Sequence, residues 1–227
     1  MNYLHQFVFG IYPYIALAIF LLGSLIRFDR EQYSWKSESS QLLYRGQLRL
    51  GNILFHIGIL GLFFGHLFGL LTPVAFWDYI GVSHHAKQIF AMSAGGIMGT
   101  IALIGLLILI VRRFSSVRLN INSTWRDKLV LIWLLITLLL GLSTIVVSSQ
   151  HTDGKEMVSL MTWAQHILTF RGDAASYIVN ASPVFKFHLF MGMSLFVIFP
   201  FTRLVHIWSG FGTLTYLRRS PQLVRRR

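Results

Sequence analysis

Five long apolar runs constrain this chain more than any other feature of its sequence. A helix needs roughly 20 apolar residues to cross a hydrocarbon core about 30 Å thick, and each run meets or approaches that length. An apolar share of 54% with only 12% charged residues also excludes an ordinary soluble domain. The sequence therefore predicts an all-α integral membrane protein, a single transmembrane domain over residues 1–227. The predicted spans are 12–26, 52–72, 89–111, 129–148 and 184–208.

Arginine and lysine fall into clusters that predict how the spans are oriented. Sixteen of the 20 lie between spans one and two, between spans three and four, or at the end of span five and beyond. The opposite side carries four, which are Lys87, Lys155, Arg171 and Lys186. The positive-inside rule then places the N-terminus outside and the C-terminus, with a basic tail over residues 209–227, in the cytoplasm. The net charge of +12 is interpreted as this topology signal and not as a nucleic-acid surface.

Histidines are the candidate metal ligands, because the chain has no cysteine. Four of the nine lie in apolar spans, where an ionisable side chain is costly unless it has a partner. His56 and His66 are on span two, and His188 and His206 are on span five. Because these spans run in opposite directions, His56 should share the inner depth with His206, and His66 the outer depth with His188. Two pairs at two depths predict a haem-binding helical bundle with two b-type haems, each iron taking one imidazole from each helix.

The spacing of the four histidines differs between the two spans, which excludes a perfectly parallel ladder of pairs. Ten residues separate the pair on span two and eighteen the pair on span five, which correspond to axial rises of about 15 Å and about 27 Å. Helix tilt and a kink at Pro200 are expected to absorb this difference. The alternative is that all four are structural histidines with hydrogen-bond partners.

Glycines and arginines near these histidines could also serve haem groups. Gly61, Gly65 and Gly69 form a stripe of spacing four that would let a porphyrin, or simply another helix, approach the backbone. Cations near the inner membrane face are candidate partners for haem propionates, although they could equally be topology residues that snorkel to the interface. These candidates are Arg112, Arg113 and Arg203.

The long outer connection over residues 149–183 has apolar residues at helical spacing. It is expected to contain an amphipathic helix that lies at the membrane interface. The histidines outside spans two and five are expected to be solvated or structural. They are His5, His84, His85, His151 and His166.

Several motifs taken together resemble those of a known family. They are NILFHIGILG at 52–61, Gly65-His66, LTP at 71–73, AGG at 94–96, WAQ at 163–165, His188-Leu, Gly192-Met and FPFTRLVHIW at 199–208. Over essentially its whole length the chain is similar to the gamma subunit, a dihaem cytochrome b, of membrane-bound respiratory nitrate reductase. The resemblance implies a protein of the cell inner membrane that oxidises quinol, either menaquinol or ubiquinol, at the outer side. Electrons would then pass through the outer and the inner haem to an iron–sulfur subunit and a molybdenum-containing catalytic subunit in the cytoplasm.

The resemblance also assigns residues. It implies a distal, outer haem on His66 and His188, a proximal, inner haem on His56 and His206, and a quinol site at Lys87 with Gly65 and His66 beside it. Lys87 is the only Lys or Arg between spans two and three, and a positive charge near a quinone oxygen favours the anionic species formed as electrons leave. The alternative is an ordinary surface lysine at the start of a helix.

Two other functions stay open at this point. The chain could be a dihaem membrane anchor that docks a different cytoplasmic oxidoreductase through its basic segments, with a weak or absent quinone site. It could also be a transporter that uses the histidines as proton relays, although the sequence lacks the repeated halves and broken, charged helices typical of that class. Nitrate chemistry is expected in a partner subunit, because no ligand set for molybdenum is visible in the sequence.

Overall fold

The structure, a computed structural model, describes residues 2–31, 45–121 and 123–209. The predicted basic tail falls outside these residues, apart from its first position. The described residues form helices and turns, with no strand among them. The α-helices are α1 (Tyr3–Gln6), α2 (Tyr12–Arg30), α3 (Arg45–Leu71), α4 (Val74–Tyr79), α5 (His84–Ser115), α6 (Val117–Ile121), α7 (Trp125–Gln150), α8 (Lys155–Leu168) and α9 (Pro183–Ile198). A π-helical turn covers Phe7–Ile11, and 3-10 turns cover Ala174–Ile178, Phe199–Phe201 and Arg203–Val205.

Among the described residues, five helical stretches are long and apolar enough to cross a membrane, which confirms the predicted all-α membrane class. The first four extend beyond the predicted apolar runs at one or both ends, because a helix continues its hydrogen bonding through polar residues at its ends. The fifth ends at Phe201, before the predicted limit of 208. The chain is therefore a multi-pass α-helical membrane protein. The five stretches are Tyr3–Arg30, Gly46–Leu71, His84–Ser115, Trp125–Gln150 and Pro183–Phe201.

Small residues allow close packing between α3 and α5. A Cβ added at Gly58 would collide with the backbone of Ala102, and one added at Gly105 would collide with the backbone of Phe55. Glycines at such positions let two helix backbones approach within van der Waals contact. The long helices pack as neighbours in the order α3, α5, α7, α9 and α2, while α3 and α9 make few direct contacts within the described residues.

The fifth span is not a continuous helix. α9 ends at Ile198, and the chain then passes through two 3-10 turns separated by Thr202, which has an extended backbone with φ −126° and ψ −178°. Pro200 lacks the N–H group that a continuing helix would require. The predicted kink is thus a break in the helix. Arg27 of α2 donates from Nη1 to two carbonyl oxygens of this segment, that of Pro200 at 2.7 Å and that of Thr202 at 2.8 Å. His206 follows this irregular segment.

The predicted amphipathic helix in the long connection is α8, and much of its apolar side is covered by protein. Trp163 and Ile167 are buried in a cluster with Phe9 of the π-helical turn and Ile178 of a 3-10 turn. Trp163 also donates from Nε1 to the carbonyl oxygen of Phe9 at 2.9 Å. α8 therefore ties the N-terminal segment to the helical bundle, which sequence periodicity alone did not indicate.

Candidate functional site between helices α3 and α9

The structure brings the four intramembrane histidines together in the two predicted pairs. The ring centroids of His56 and His206 are 6.3 Å apart with an interplanar angle of 69°. Those of His66 and His188 are 6.1 Å apart with an angle of 44°. Each pair joins α3 to the fifth span, across the side of the bundle where these two elements make few direct contacts.

Every one of the four imidazoles is oriented by a backbone carbonyl. His56 donates from Nδ1 to Asn52 at 2.8 Å, and His66 donates to Leu62 at 2.7 Å, each within α3. His188 donates to Thr137 of α7 at 3.0 Å, and His206 donates to Arg203 at 2.6 Å. A carbonyl oxygen can only accept, so in a neutral imidazole these bonds place the proton on Nδ1 and leave the lone pair on Nε2. Such an arrangement is typical of histidines that bind a metal through Nε2.

The ring separations agree with one metal ion between each pair. A metal–nitrogen bond of about 2 Å and a nitrogen-to-centroid distance of about 1 Å place two opposed rings about 6 Å apart. No group of three or more His, Cys, Asp or Glu side chains suitable for a metal occurs among the described residues. Each pair can therefore supply two opposed ligands only, and any other ligands must come from a bound group. This donor set fits a planar tetradentate cofactor such as iron porphyrin.

Glycines near the His66/His188 pair differ from those that pack against α5. A Cβ added at Gly65, Gly69 or Gly192 would meet no atom within 4 Å among the described residues. Gly61, in contrast, contacts the side chain of Met98. The predicted glycine stripe thus divides into one residue used for helix packing and two that border open space next to His66.

Lys87 is buried, which excludes the surface-lysine alternative. Its side chain lies at the junction of four helices and is 6% exposed. Nζ donates to the carbonyl oxygen of Gly69 at 3.2 Å and to Sδ of Met161 at 2.8 Å, and it lies 4.5 Å from the ring centroid of Trp77. Since Gly69 is one helical turn from His66, the structure brings Lys87 to the same end of α3 as the His66/His188 pair. Indole Nε1 of Trp77 is buried and has no hydrogen-bond partner among the described residues.

The predicted propionate partners have protein contacts of their own. Arg203 donates from Nε to Oδ1 of Asp127 at 2.7 Å, and Nη1 of Arg113 lies 3.6 Å from Oδ2 of the same carboxylate. Arg113 also donates to the hydroxyl of Ser123 at 2.7 Å. Arg112 is buried in the last turn of α5. Arg113 and Arg203 thus form an ion-pair cluster around Asp127, which is an alternative to a role as free interfacial cations.

Sequence reasoning did not single out several residues that shape this site. Thr137 and Gly141 of α7 contact His188. Asp127 contacts Arg203, which lies three residues before His206. Asp127 could have been noticed as the carboxylate of a Thr-x-x-Asp capping pattern that follows several arginines. The carbonyl of Thr137 leaves no sequence signal, because any residue supplies a carbonyl.

These features define a class: a multi-pass helical membrane protein with two interhelical histidine pairs placed to bind metal groups. A family model described as "Nitrate reductase gamma subunit" matches residues 5–227. The chain belongs to this family.

Relatives of similar length support the same assignment. The chain is 48% identical to respiratory nitrate reductase 1 gamma chain of Escherichia coli K12, with all of both chains covered. It is 47% identical to respiratory nitrate reductase 2 gamma chain of the same organism, over all of this chain and 99% of the relative. It is 36% identical to nitrate reductase gamma chain of Bacillus subtilis 168, over 98% of each.

Proposed function

We propose that this chain is the quinol-oxidising, dihaem cytochrome b subunit of a respiratory nitrate reductase complex. The observation that carries the proposal is the orientation of the four histidines. Each bonds through Nδ1 to a backbone carbonyl, and the ring centroids within each pair are about 6 Å apart, the separation expected for one metal ion between two imidazoles. A haem iron with two imidazole ligands undergoes reversible one-electron transfer and has no open site for oxygen chemistry. His66 and His188 would hold one haem b, and His56 and His206 the other.

The environment of Lys87 supports quinol binding next to the His66/His188 pair. The ammonium group is shielded from solvent and bonds to the carbonyl oxygen of Gly69 at the end of α3. On the same helix, a Cβ added at Gly65 or Gly69 would meet no atom within 4 Å among the described residues. A buried cation stabilises negative charge that develops on a quinol oxygen as its proton leaves. Lys87 would therefore bind and orient the quinol, with His66 and Gly65 forming the adjoining wall.

The distribution of basic residues supports an orientation for the reaction. The positive-inside rule places the Lys87 end of α3 outside and the His56/His206 end at the cytoplasmic face. Quinol protons would be released outside, while electrons leave toward the cytoplasm. The names of the relatives, each a gamma chain of a respiratory nitrate reductase, support association with other subunits of such a complex. These partners would be an iron–sulfur subunit and a molybdenum-containing catalytic subunit.

A spectroscopic titration of the purified complex tests this proposal. The reduced-minus-oxidised absorption spectrum should show b-type bands equivalent to two haems per chain, and a quinol analogue alone should reduce both haems. Absence of b-type bands would refute haem binding. Two haems that stay oxidised with quinol would refute quinol oxidation and favour the membrane-anchor alternative.

A further inference from the structure

Asp127 is a buried carboxylate between two arginines. It is 7% exposed and lies in the first turn of α7, where Oδ1 is 2.7 Å from Nε of Arg203 and Oδ2 is 3.6 Å from Nη1 of Arg113. It also accepts from the backbone N–H of Thr124 at 3.2 Å as part of a capping box. Removing one partner from a buried ion pair leaves the other charges uncompensated, so these contacts restrain Arg203 strongly.

Arg203 is connected to His206 through its backbone. Its carbonyl oxygen accepts the Nδ1 proton of His206 at 2.6 Å, while its side chain is held by Asp127. The carbonyls that orient His56, His66 and His188 belong to the regular helices α3 and α7, whose hydrogen bonds fix them. Arg203 instead starts a three-residue 3-10 turn directly after the extended residue Thr202, and its carbonyl also accepts the backbone N–H of His206. Because so short a turn has no regular helix on either side of this carbonyl to hold it, the direction of the carbonyl depends on the contacts of the Arg203 side chain more than the other three do.

We propose that Asp127 is a positioning residue for the metal ligand His206, acting through Arg203. The carboxylate holds the Arg203 side chain, the restrained Arg203 carbonyl fixes the proton on Nδ1 of His206, and Nε2 is thereby kept available and correctly oriented. Outer-sphere contacts of this kind set the orientation and basicity of a histidine ligand. This inference rests on the proposed haem binding by His56 and His206, and it assigns Asp127 no contact with haem or quinol.

Three variants of the intact complex separate this role from simple helix capping. Asp127→Ala removes the carboxylate. Asp127→Glu keeps a carboxylate in the Thr-x-x-Glu form of the capping box. Thr124→Ala removes the capping hydroxyl while leaving Asp127 in place. Three quantities are measured in each variant: haem content per chain, the midpoint potential of each haem, and the low-spin electron paramagnetic resonance signal of each haem.

Asp127→Ala is expected to weaken retention of the His56/His206 haem about 10-fold or more, or to shift its potential and resonance signal, with the His66/His188 haem unchanged. Asp127→Glu and Thr124→Ala should resemble the wild type. Three outcomes would overturn the inference: Asp127→Ala with both haems unaltered, equal loss of both haems, or the same change in Thr124→Ala as in Asp127→Ala. A wild-type complex without two haems would refute the proposed function itself, whereas two normal haems in both wild type and Asp127→Ala would refute only the role of Asp127.

Discussion

A Cβ atom added at Gly141 of α7 would lie 2.9 Å from Cε1 of His188 on α9. The same imidazole donates to the carbonyl oxygen of Thr137, one turn earlier on α7. α7 thus provides both the space for the ring and the hydrogen bond that orients it. This helix contributes no histidine of its own to the pairs, yet it determines where one ligand lies.

Gly141→Ala is therefore expected to displace the His188 ring and to weaken or remove the haem that it shares with His66. Contacts under about 3 Å between carbon atoms are strongly repulsive, so either the ring or α7 must move. Haem content and the absorption spectrum of the purified complex measure the effect. Gly95→Ala is a matched control, because its Cβ would be 4.0 Å from the nearest atom, Cδ1 of Ile145. Retention of both haems with unchanged spectra in Gly141→Ala would contradict the expectation.

His66→Ala and His188→Ala should each remove one haem and abolish quinol oxidation, while the His56/His206 haem remains. The reason is the 6.1 Å separation of these two rings, which would allow one iron to take a ligand from both of them. Haem content per chain and quinol-dependent haem reduction are the measurements. His85→Ala serves as control, since this imidazole bonds to the carbonyl oxygen of Thr152 and belongs to neither pair. Two haems in either ligand variant would exclude the assignment.

Lys87→Ala is expected to reduce quinol turnover about 100-fold with both haems retained. Its ammonium group is the buried cation at the Gly69 end of α3, and loss of a preorganised charge raises the barrier for forming an anionic species. Steady-state oxidation of a quinol analogue is compared with dithionite reduction of the haems, which does not need the quinol site. Lys155→Ala removes a side chain that is 87% exposed and should have no effect. Unchanged turnover in Lys87→Ala would rule out this role.

Arg27→Ala should destabilise the irregular segment that precedes His206. Two hydrogen bonds to the carbonyls of Pro200 and Thr202 are lost, which costs about 1–3 kcal/mol for charged donors. The His56/His206 haem should become easier to extract than the His66/His188 haem. Thermal release of each haem, followed by absorption, gives the comparison, and Arg30→Ala in the same helix provides the control. Equal stability of the two haems in Arg27→Ala would count against a local role.

Much of the fold and of the candidate site could be predicted from the sequence because the relevant signals are local. Apolar length predicts a membrane span, and a histidine within such a span needs a partner. These two signals indicated the four histidines, and the opposite directions of the second and fifth spans indicated how they pair. The predicted pairs are the pairs that the structure forms. Residues such as Thr137 and Gly141 could not be predicted, because a carbonyl oxygen and an absent Cβ are functional only when another helix lies against them.

The sequence by itself determined the five membrane-spanning helices, the family and the four histidines, since each depends on residue type and spacing along one helix. Tertiary structure alone decided that the fifth span breaks after Ile198 and that Lys87 is buried. It also decided that Arg203 is shared between Asp127 and His206. The physical reason is that these features depend on contacts between helices far apart in the chain, where packing and hydrogen-bond satisfaction, and not local propensity, choose the arrangement.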